Sequence, residues 1–129
     1  MTDYMYELSE QLVHDTVADL EAVKATDITV LDIREFNSIT DFMIIATGRS
    51  TRHTRALAEN LVRNMKGSGR APMGVEGEQY GEWILVDLCD VVVHVMLPET
   101  RELYQLEKLW YNPRAQAPNP ITNSVHVGL

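Results

Sequence analysis

The feature of this sequence that most constrains the fold is a short segment, residues 41–47, in which almost every residue is apolar. A strand with one face in water alternates polar and apolar residues. This segment, Asp-Phe-Met-Ile-Ile-Ala-Thr, does not alternate, which is typical of a strand buried on both faces. We therefore predict a sheet with other elements packed against it.

The rest of the chain alternates helical and extended patterns. Apolar residues at helical spacing predict helices over residues 6–24 and from residue 50 or 51 to about residue 67. Further strands are predicted at residues 28–33, 83–86 and 91–97, with a short strand or loop edge at 73–77. Residues 87–90 would join the last two strands in a tight hairpin. This order predicts an α/β fold: a single domain with a mixed β-sheet flanked by helices.

The last part of the chain predicts one more helix and then a tail. Pro98 suits the first turn of a helix, and Leu103, Leu106 and the pair Leu109/Trp110 would form its apolar face. Three prolines and a lack of periodicity follow. We therefore place the domain at residues 1–111 and a flexible C-terminal tail at residues 112–129.

Composition limits the functional classes. The net charge of −8 disfavours broad adhesion to nucleic acid or to a membrane surface and favours a basic partner. No apolar run approaches the roughly 20 residues that span a bilayer, and the first ten residues hold no Lys or Arg. With Cys89 as the only cysteine, no internal disulfide can form, which fits a reducing cytoplasm. Together these three observations lead us to expect a soluble cytoplasmic protein without a targeting segment.

One candidate site is the turn from Gly48 to His53, which leads from the buried strand into a helix. A helix N-terminus favours anions, and the basic segment 49–70 holds six basic residues and one acid. The candidate contacts with an anion or with RNA are Arg49, Ser50, Arg52, His53 and Arg55. The alternatives are an ordinary capped helix start and a solvated basic face, both of which are common.

Two further constellations surround the predicted hairpin. Asp87, Asp90 and His94 could bind a metal or perform acid–base chemistry, but a histidine bonded to a neighbour at a sheet edge is commoner. Trp83 stands among several carboxylates, a mixture that suits docking to a basic protein, with core packing of the indole as the alternative. Phosphate-binding glycine motifs are missing, and Glu76 stands in too glycine-rich a segment to serve as a rigid metal ligand. We expect no cofactor, no metal and no catalytic residues.

Six strings stand in unbroken order between residues 6 and 110. They are SITDFMIIATG at 38–48, STRH at 50–53, PMGVEG at 72–77, WILVD at 83–87, DVVVHVM at 90–96 and LEKLW at 106–110. Together these strings closely resemble the RsfS (Iojap/YbeB) family of ribosomal silencing factors. The resemblance implies a fold similar to nucleotidyltransferases but without their catalytic carboxylates, in agreement with the absence of a suitable carboxylate pair after residue 50.

The resemblance also implies a function. Family members bind large-subunit ribosomal protein number fourteen on the intersubunit face, block subunit joining and so lower translation when nutrients are scarce. By resemblance, the contact residues are Trp83, Leu88, Asp90, His94 and Met96, with Glu76 in addition. The alternative is a nucleotide- or phosphate-handling enzyme built on residues 48–53. Peripheral contact with ribosomal RNA and a homodimer of the free chain are left open.

This chain departs from the family pattern in the hairpin turn. Cys89 stands where the family usually has glycine. A glycine in a tight turn often marks a residue with positive φ. We therefore predict a positive φ at Cys89.

Overall fold

The structure is a computed structural model that describes residues 2–110, and the predicted tail lies outside the described residues. Side chains are described from residue 8 to residue 109. The elements, in order, are α1 (Thr2–Ala22), β1 (Thr26–Asp32), β2 (Phe42–Thr47), α2 (Thr51–Gly67), β3 (Gly74–Glu76), β4 (Trp83–Asp87), β5 (Val91–Met96), α3 (Pro98–Tyr104) and a terminal 3₁₀ helix (Leu106–Trp110).

The five strands form one mixed sheet in the order β1-β2-β5-β4-β3. Only the β2–β5 pair is parallel, and the other three pairs are antiparallel. The predicted mixed sheet and the predicted element order are therefore confirmed. The sheet places the segment 42–47 beside β5 at its centre, which explains why that segment is almost wholly apolar.

Helices α1 and α2 both pack against one face of the sheet, which we call the inner face. Their apolar stripes meet alternate residues of the strands, such as Ile44 of β2 and Val93 of β5. From α2 the core receives Leu57 and Leu61, both fully buried. Of the two residues at which this helix was predicted to begin, Ser50 is the cap of α2, because its Oγ accepts a hydrogen bond from the backbone N–H of His53 at 3.1 Å.

The opposite, outer face of the sheet is covered in part by the terminal 3₁₀ helix. Leu106 packs there against a second cluster that includes Leu31, Ile45 and Met96. The prediction of one continuous last helix is wrong, because Gln105 adopts a left-handed conformation with φ 47° and ends α3. The break turns only Leu106 inward and leaves Leu103 and Leu109 exposed.

The hairpin between β4 and β5 is as tight as predicted. Leu88 donates its N–H to the carbonyl of Val91 at 2.9 Å, which closes the turn. Cys89 has φ 74°, so the predicted positive φ is confirmed. The Oδ1 of Asp87 accepts the Cys89 N–H at 2.8 Å and helps to hold this left-handed residue.

Candidate docking surface

The outer face of the sheet is the only strand surface not packed under α1 and α2 in the described part of the chain. Alternation along β4 and β5 places one set of side chains on it: Trp83, Leu85, Asp87, Val92, His94 and Met96. Register adds Met43 beside Val92, and Glu76 beside Leu85. The outer face is therefore apolar along its middle strands and acidic toward its β3 edge.

Part of this face remains open because the 3₁₀ helix covers only β1, β2 and the Met96 end of β5. We call the open part the outer patch: Met43, Leu85, Val92, Trp83 and Asp87, all half-buried. A half-buried apolar strip with a tryptophan at one end and a carboxylate at the other has the composition of a protein-binding surface.

Trp83 is held in place from three directions. Its indole Nε1–H donates to Nδ1 of His94 at 2.8 Å. The ring of Tyr104 lies 4.9 Å from the Trp83 ring, centroid to centroid, in a tilted arrangement. On the backbone side, Gly77 has φ +90°, and a Cβ built on it would lie 2.1 Å from the Trp83 carbonyl oxygen. The tryptophan is therefore preorganised rather than free to reorient.

The hydrogen bond to Trp83 fixes the protonation state of His94. An indole N–H can only donate, so Nδ1 of His94 must be an unprotonated acceptor and the imidazole is neutral. Burial lowers the pKa of His94 from 6.5 to about 4, because an imidazolium would lose its hydration there. His94 therefore supports the tryptophan and is unsuited to acid–base work near neutral pH.

The predicted contact residues do not all reach the surface. Trp83 and Asp90 are half-buried, and Glu76 is exposed at the β3 edge. Leu88 and His94 are buried, and Met96 is completely buried beneath Trp83 and Leu106. These last three can act only by supporting the surface above them, since a buried side chain has almost no area to offer a partner.

Asp90 lies at the hairpin end of the outer face, next to a second acid. Burial and the nearby charge of Asp41 raise the pKa of Asp90. The Asp41 carboxylate accepts a hydrogen bond from Ser9 Oγ at 2.7 Å, while the backbone carbonyl of Asp90 accepts the Asp41 N–H at 2.9 Å. A basic partner at the hairpin end would meet Asp90 beside a second carboxylate, that of Asp41, which is already bonded to Ser9 of α1.

At the second predicted site, residues 48–53, several groups make contacts within the fold. His53 is buried; its Nδ1 accepts the Arg49 N–H at 3.0 Å, and its Nε2 lies 2.6 Å from the Val23 carbonyl oxygen. A Cβ on Gly48 would lie 2.8 Å from Thr54 Cγ2, so the glycine allows close packing within the turn. The glycine and His53 at this helix start therefore join elements of the fold, and His53 is not available to a ligand.

The basic residues of α2 lie on the far side of the molecule from the outer patch, because α2 covers the inner face. Arg55 donates to the carbonyls of Glu78 and Gln79 at 2.9 and 2.7 Å, and so fastens the loop before β4. Arg49 and Arg52 are exposed. The structure does not bring the basic residues together with the predicted docking residues.

The described residues include no group of three or more His, Cys, Asp and Glu that could hold a metal ion. Among the same residues, none of the helices combines the length and the hydropathy that crossing a bilayer requires.

Sequence reasoning missed three members of the outer patch: Met43, Leu85 and Val92. The signal for Leu85 was the two-residue alternation from Trp83 to Asp87, which places it on the same face. The same alternation places Val92 on one face with Asp90, His94 and Met96, whereas no comparable signal marked Met43, because β2 is apolar on both faces. The exposure of Met43 and Val92 depends on where the 3₁₀ helix ends.

Comparison with known proteins identifies the family. The model of the family described as "Ribosomal silencing factor during starvation" matches residues 6–126, a range that extends into the segment set apart above as a tail. A Haemophilus influenzae protein named ribosomal silencing factor RsfS is 46% identical over 99 residues, which cover 77% of this chain and 97% of that protein.

More distant relatives and a solved structure agree. A mouse protein named mitochondrial assembly of ribosomal large subunit protein 1 is 39% identical over 97 residues, 73% of this chain and 42% of that protein. The crystal structure of a Chromobacterium violaceum protein superposes with a TM-score of 0.77 at 42% identity, covering 78% of this chain and 84% of that one. This chain belongs to the RsfS family of ribosomal silencing factors.

Proposed function

We propose that this chain is a non-catalytic regulator that binds the large ribosomal subunit and blocks its association with the small subunit, repressing translation under nutrient limitation. The partner is ribosomal protein number fourteen of the large subunit, and the contact surface is the outer patch together with Asp90 and Glu76. This role requires access to assembled ribosomal subunits. We therefore propose that the protein acts in the cytoplasm.

The observation that carries the proposal is the fixed position of Trp83 within a half-open apolar strip. Tryptophan is enriched among the residues that dominate protein–protein affinity, and an anchor held before binding loses little conformational freedom on docking. His94 and Tyr104 provide that restraint. Carboxylates at the rim would steer a basic ribosomal protein toward this face and reject acidic ones.

Three residues at the start of α2 already have partners within the fold, which supports the regulator over the enzyme alternative, although Arg49 and Arg52 are exposed. The Oγ of Ser50 caps the helix, and Nε2 of His53 lies within hydrogen-bond distance of the Val23 carbonyl oxygen after α1. Arg55 is occupied by two carbonyls. Binding of ATP and GTP by the purified chain, measured by calorimetry, is expected to be undetectable at millimolar concentration.

Co-sedimentation with isolated large subunits tests the docking proposal. Replacing Trp83 with Ala should weaken binding roughly 30-fold or more, which corresponds to about 2 kcal/mol for a central anchor. Asp90→Arg should abolish binding, whereas Glu99→Arg makes the same charge change on α3 and should leave binding near the parental level. Circular dichroism of each variant checks the fold. A folded Asp90→Arg variant that co-sediments like the parent would reject the acidic contact.

A separate part of the proposal is that the exposed basic side chains of α2 contact ribosomal RNA. Phosphate contacts make binding weaken steeply as salt rises. We expect Arg52→Gln combined with Arg63→Gln to flatten the salt dependence of subunit binding and to leave binding to the isolated ribosomal protein unchanged. Arg55 is spared because it fastens a loop. Parallel salt slopes for parent and variant would show that the basic face is only solvated.

A further inference from the structure

We infer that the docking surface continues past the outer patch onto the hairpin end of the sheet, where Ile39 and Met73 flank the β4–β5 turn. We call this region the turn rim: Ile39, Met73 and the turn residues 87–90. The inference rests on the proposed function and assigns the rim to the same basic protein partner, as a second apolar contact zone.

Ile39 is the most exposed large apolar side chain in the described part of the chain, with 79% of its surface open. Its loop is nevertheless tethered. Asn37 Oδ1 accepts the N–H groups of Ile39 and Thr40 at 2.7 and 3.1 Å, and Thr40 Oγ1 donates to the Cys89 carbonyl at 3.2 Å. The side chain is therefore presented from a braced loop, which reduces the ordering cost of docking.

Met73 occupies the other side of the turn with 74% of its surface exposed. Its N–H donates to the carbonyl of Asp87 at 2.7 Å, so its backbone is fixed to the end of β4. The loop that carries Ile39 leads into β2, and Met73 leads into β3, three strand positions away in the sheet order. At about 4.8 Å per strand, the two sites lie roughly 14 Å apart, within one protein interface.

The charge between the two apolar side chains is acidic. Asp87 and Asp90 belong to the turn itself, and Asp41 lies beside Asp90. Arg34, the basic side chain nearest to Ile39 in sequence, is already paired with Asp32. A partner that fits the rim must therefore offer apolar recesses with basic side chains between them, the chemistry already required by the acidic border of the outer patch.

The two regions are continuous, because Asp87 belongs to both and Val92 of the outer patch is its neighbour across the β4–β5 ladder. A partner that binds Trp83 and Leu85 and extends along β4 toward Asp90 would also contact the turn rim. The continuity and the shared acidic character argue for one partner on both regions.

The experiment measures the affinity of the full chain for the isolated ribosomal protein and for large subunits. Ile39→Ser and Met73→Ser should each raise Kd about fivefold, and the double variant at least about tenfold. The matched control is Tyr80→Ser, since Tyr80 is 71% exposed in the loop fastened to α2, away from the rim. Melting temperatures should be unchanged because the substituted side chains are mostly in water.

Each outcome is decisive. A double variant with a Kd within twofold of the parent, while Trp83→Ala loses binding, overturns the rim and leaves the proposed function intact. If Trp83→Ala also binds normally, the proposed function itself fails. Equal losses of affinity for Tyr80→Ser and the rim variants would show that the loss is not specific to the rim, and this result also overturns the inference. Free dimers that dissociate in the double variant without a change in partner affinity would assign the rim to self-association, which also overturns the inference.

Discussion

The Trp83–His94 hydrogen bond predicts a specific dependence of stability on pH. His94 is buried and neutral, and burial lowers its pKa from 6.5 to about 4. Between these values the unfolded chain binds a proton at residue 94 and the folded chain does not, so stability falls as the pH is lowered through this window. Below about pH 4 the folded imidazole also becomes protonated and can no longer accept the Trp83 N–H.

The magnitude follows from the two pKa values. One unit of pKa difference is worth about 1.4 kcal/mol, so linkage predicts a loss of roughly 1 kcal/mol at pH 5.5 relative to pH 8. At pH 4.5 the loss grows to roughly 2–3 kcal/mol by the same relation. His94→Gln removes the titrating group and keeps a side-chain acceptor for the indole, so this variant should lack that part of the pH dependence.

Urea unfolding at pH 8, 5.5 and 4.5 measures the effect in parent and variant. Carboxylates titrate in both proteins and cancel in the difference between their pH profiles, which isolates residue 94. The parent should lose more stability than His94→Gln by the amounts above. Identical profiles would refute the reasoning, because they would mean that His94 titrates alike in the folded and unfolded chains. Trp83 fluorescence, read in a Trp110→Phe background, should shift in His94→Leu but remain near the parental value in His94→Gln.

Three further changes test the local geometry. Cys89→Gly should raise the urea midpoint and increase the free energy of unfolding by less than about 1 kcal/mol, because it relieves a positive φ while increasing the freedom of the unfolded turn; a lower midpoint would contradict this. Gly77→Ala should cost more than about 2 kcal/mol in thermal unfolding, since its Cβ would lie 2.1 Å from a β4 carbonyl. The control Gly69→Ala, at φ +78° with no neighbour within 4 Å, should show only the backbone strain. Arg101→Met should lower the melting temperature by several degrees through the loss of its bonds to β1, β2 and the 3₁₀ helix; Lys108→Met, at an exposed position, should not.

Much of the candidate site could be predicted from the sequence, but the burial of its individual side chains could not. The hairpin, the tryptophan on it and the left-handed turn at Cys89 all followed from local pattern and family resemblance. Which hairpin residues are accessible did not follow. Met96 and Leu88 are buried, whereas Ile39 and Met73, distant from the hairpin in sequence, are exposed beside it.

The sequence by itself determined the elements and their order. A helix or strand reveals its type through the spacing of its apolar residues, which is a local property of the chain. Residues 41–47 indicated a doubly buried strand, and Ser50 indicated a helix start, before any contact was known.

Tertiary structure alone decided how those elements divide the two faces of the sheet. The periodicity of α1 and α2 shows that each helix has an apolar side. This periodicity does not determine which face of the sheet each helix covers, and in the structure both pack on the inner face. The left-handed Gln105 ends α3 and turns Leu106 onto part of the outer face, so that Trp83 and Leu85 stay open beside it. Exposure depends on what packs on a side chain from elsewhere in the chain, and such long-range contacts have no counterpart in local sequence spacing.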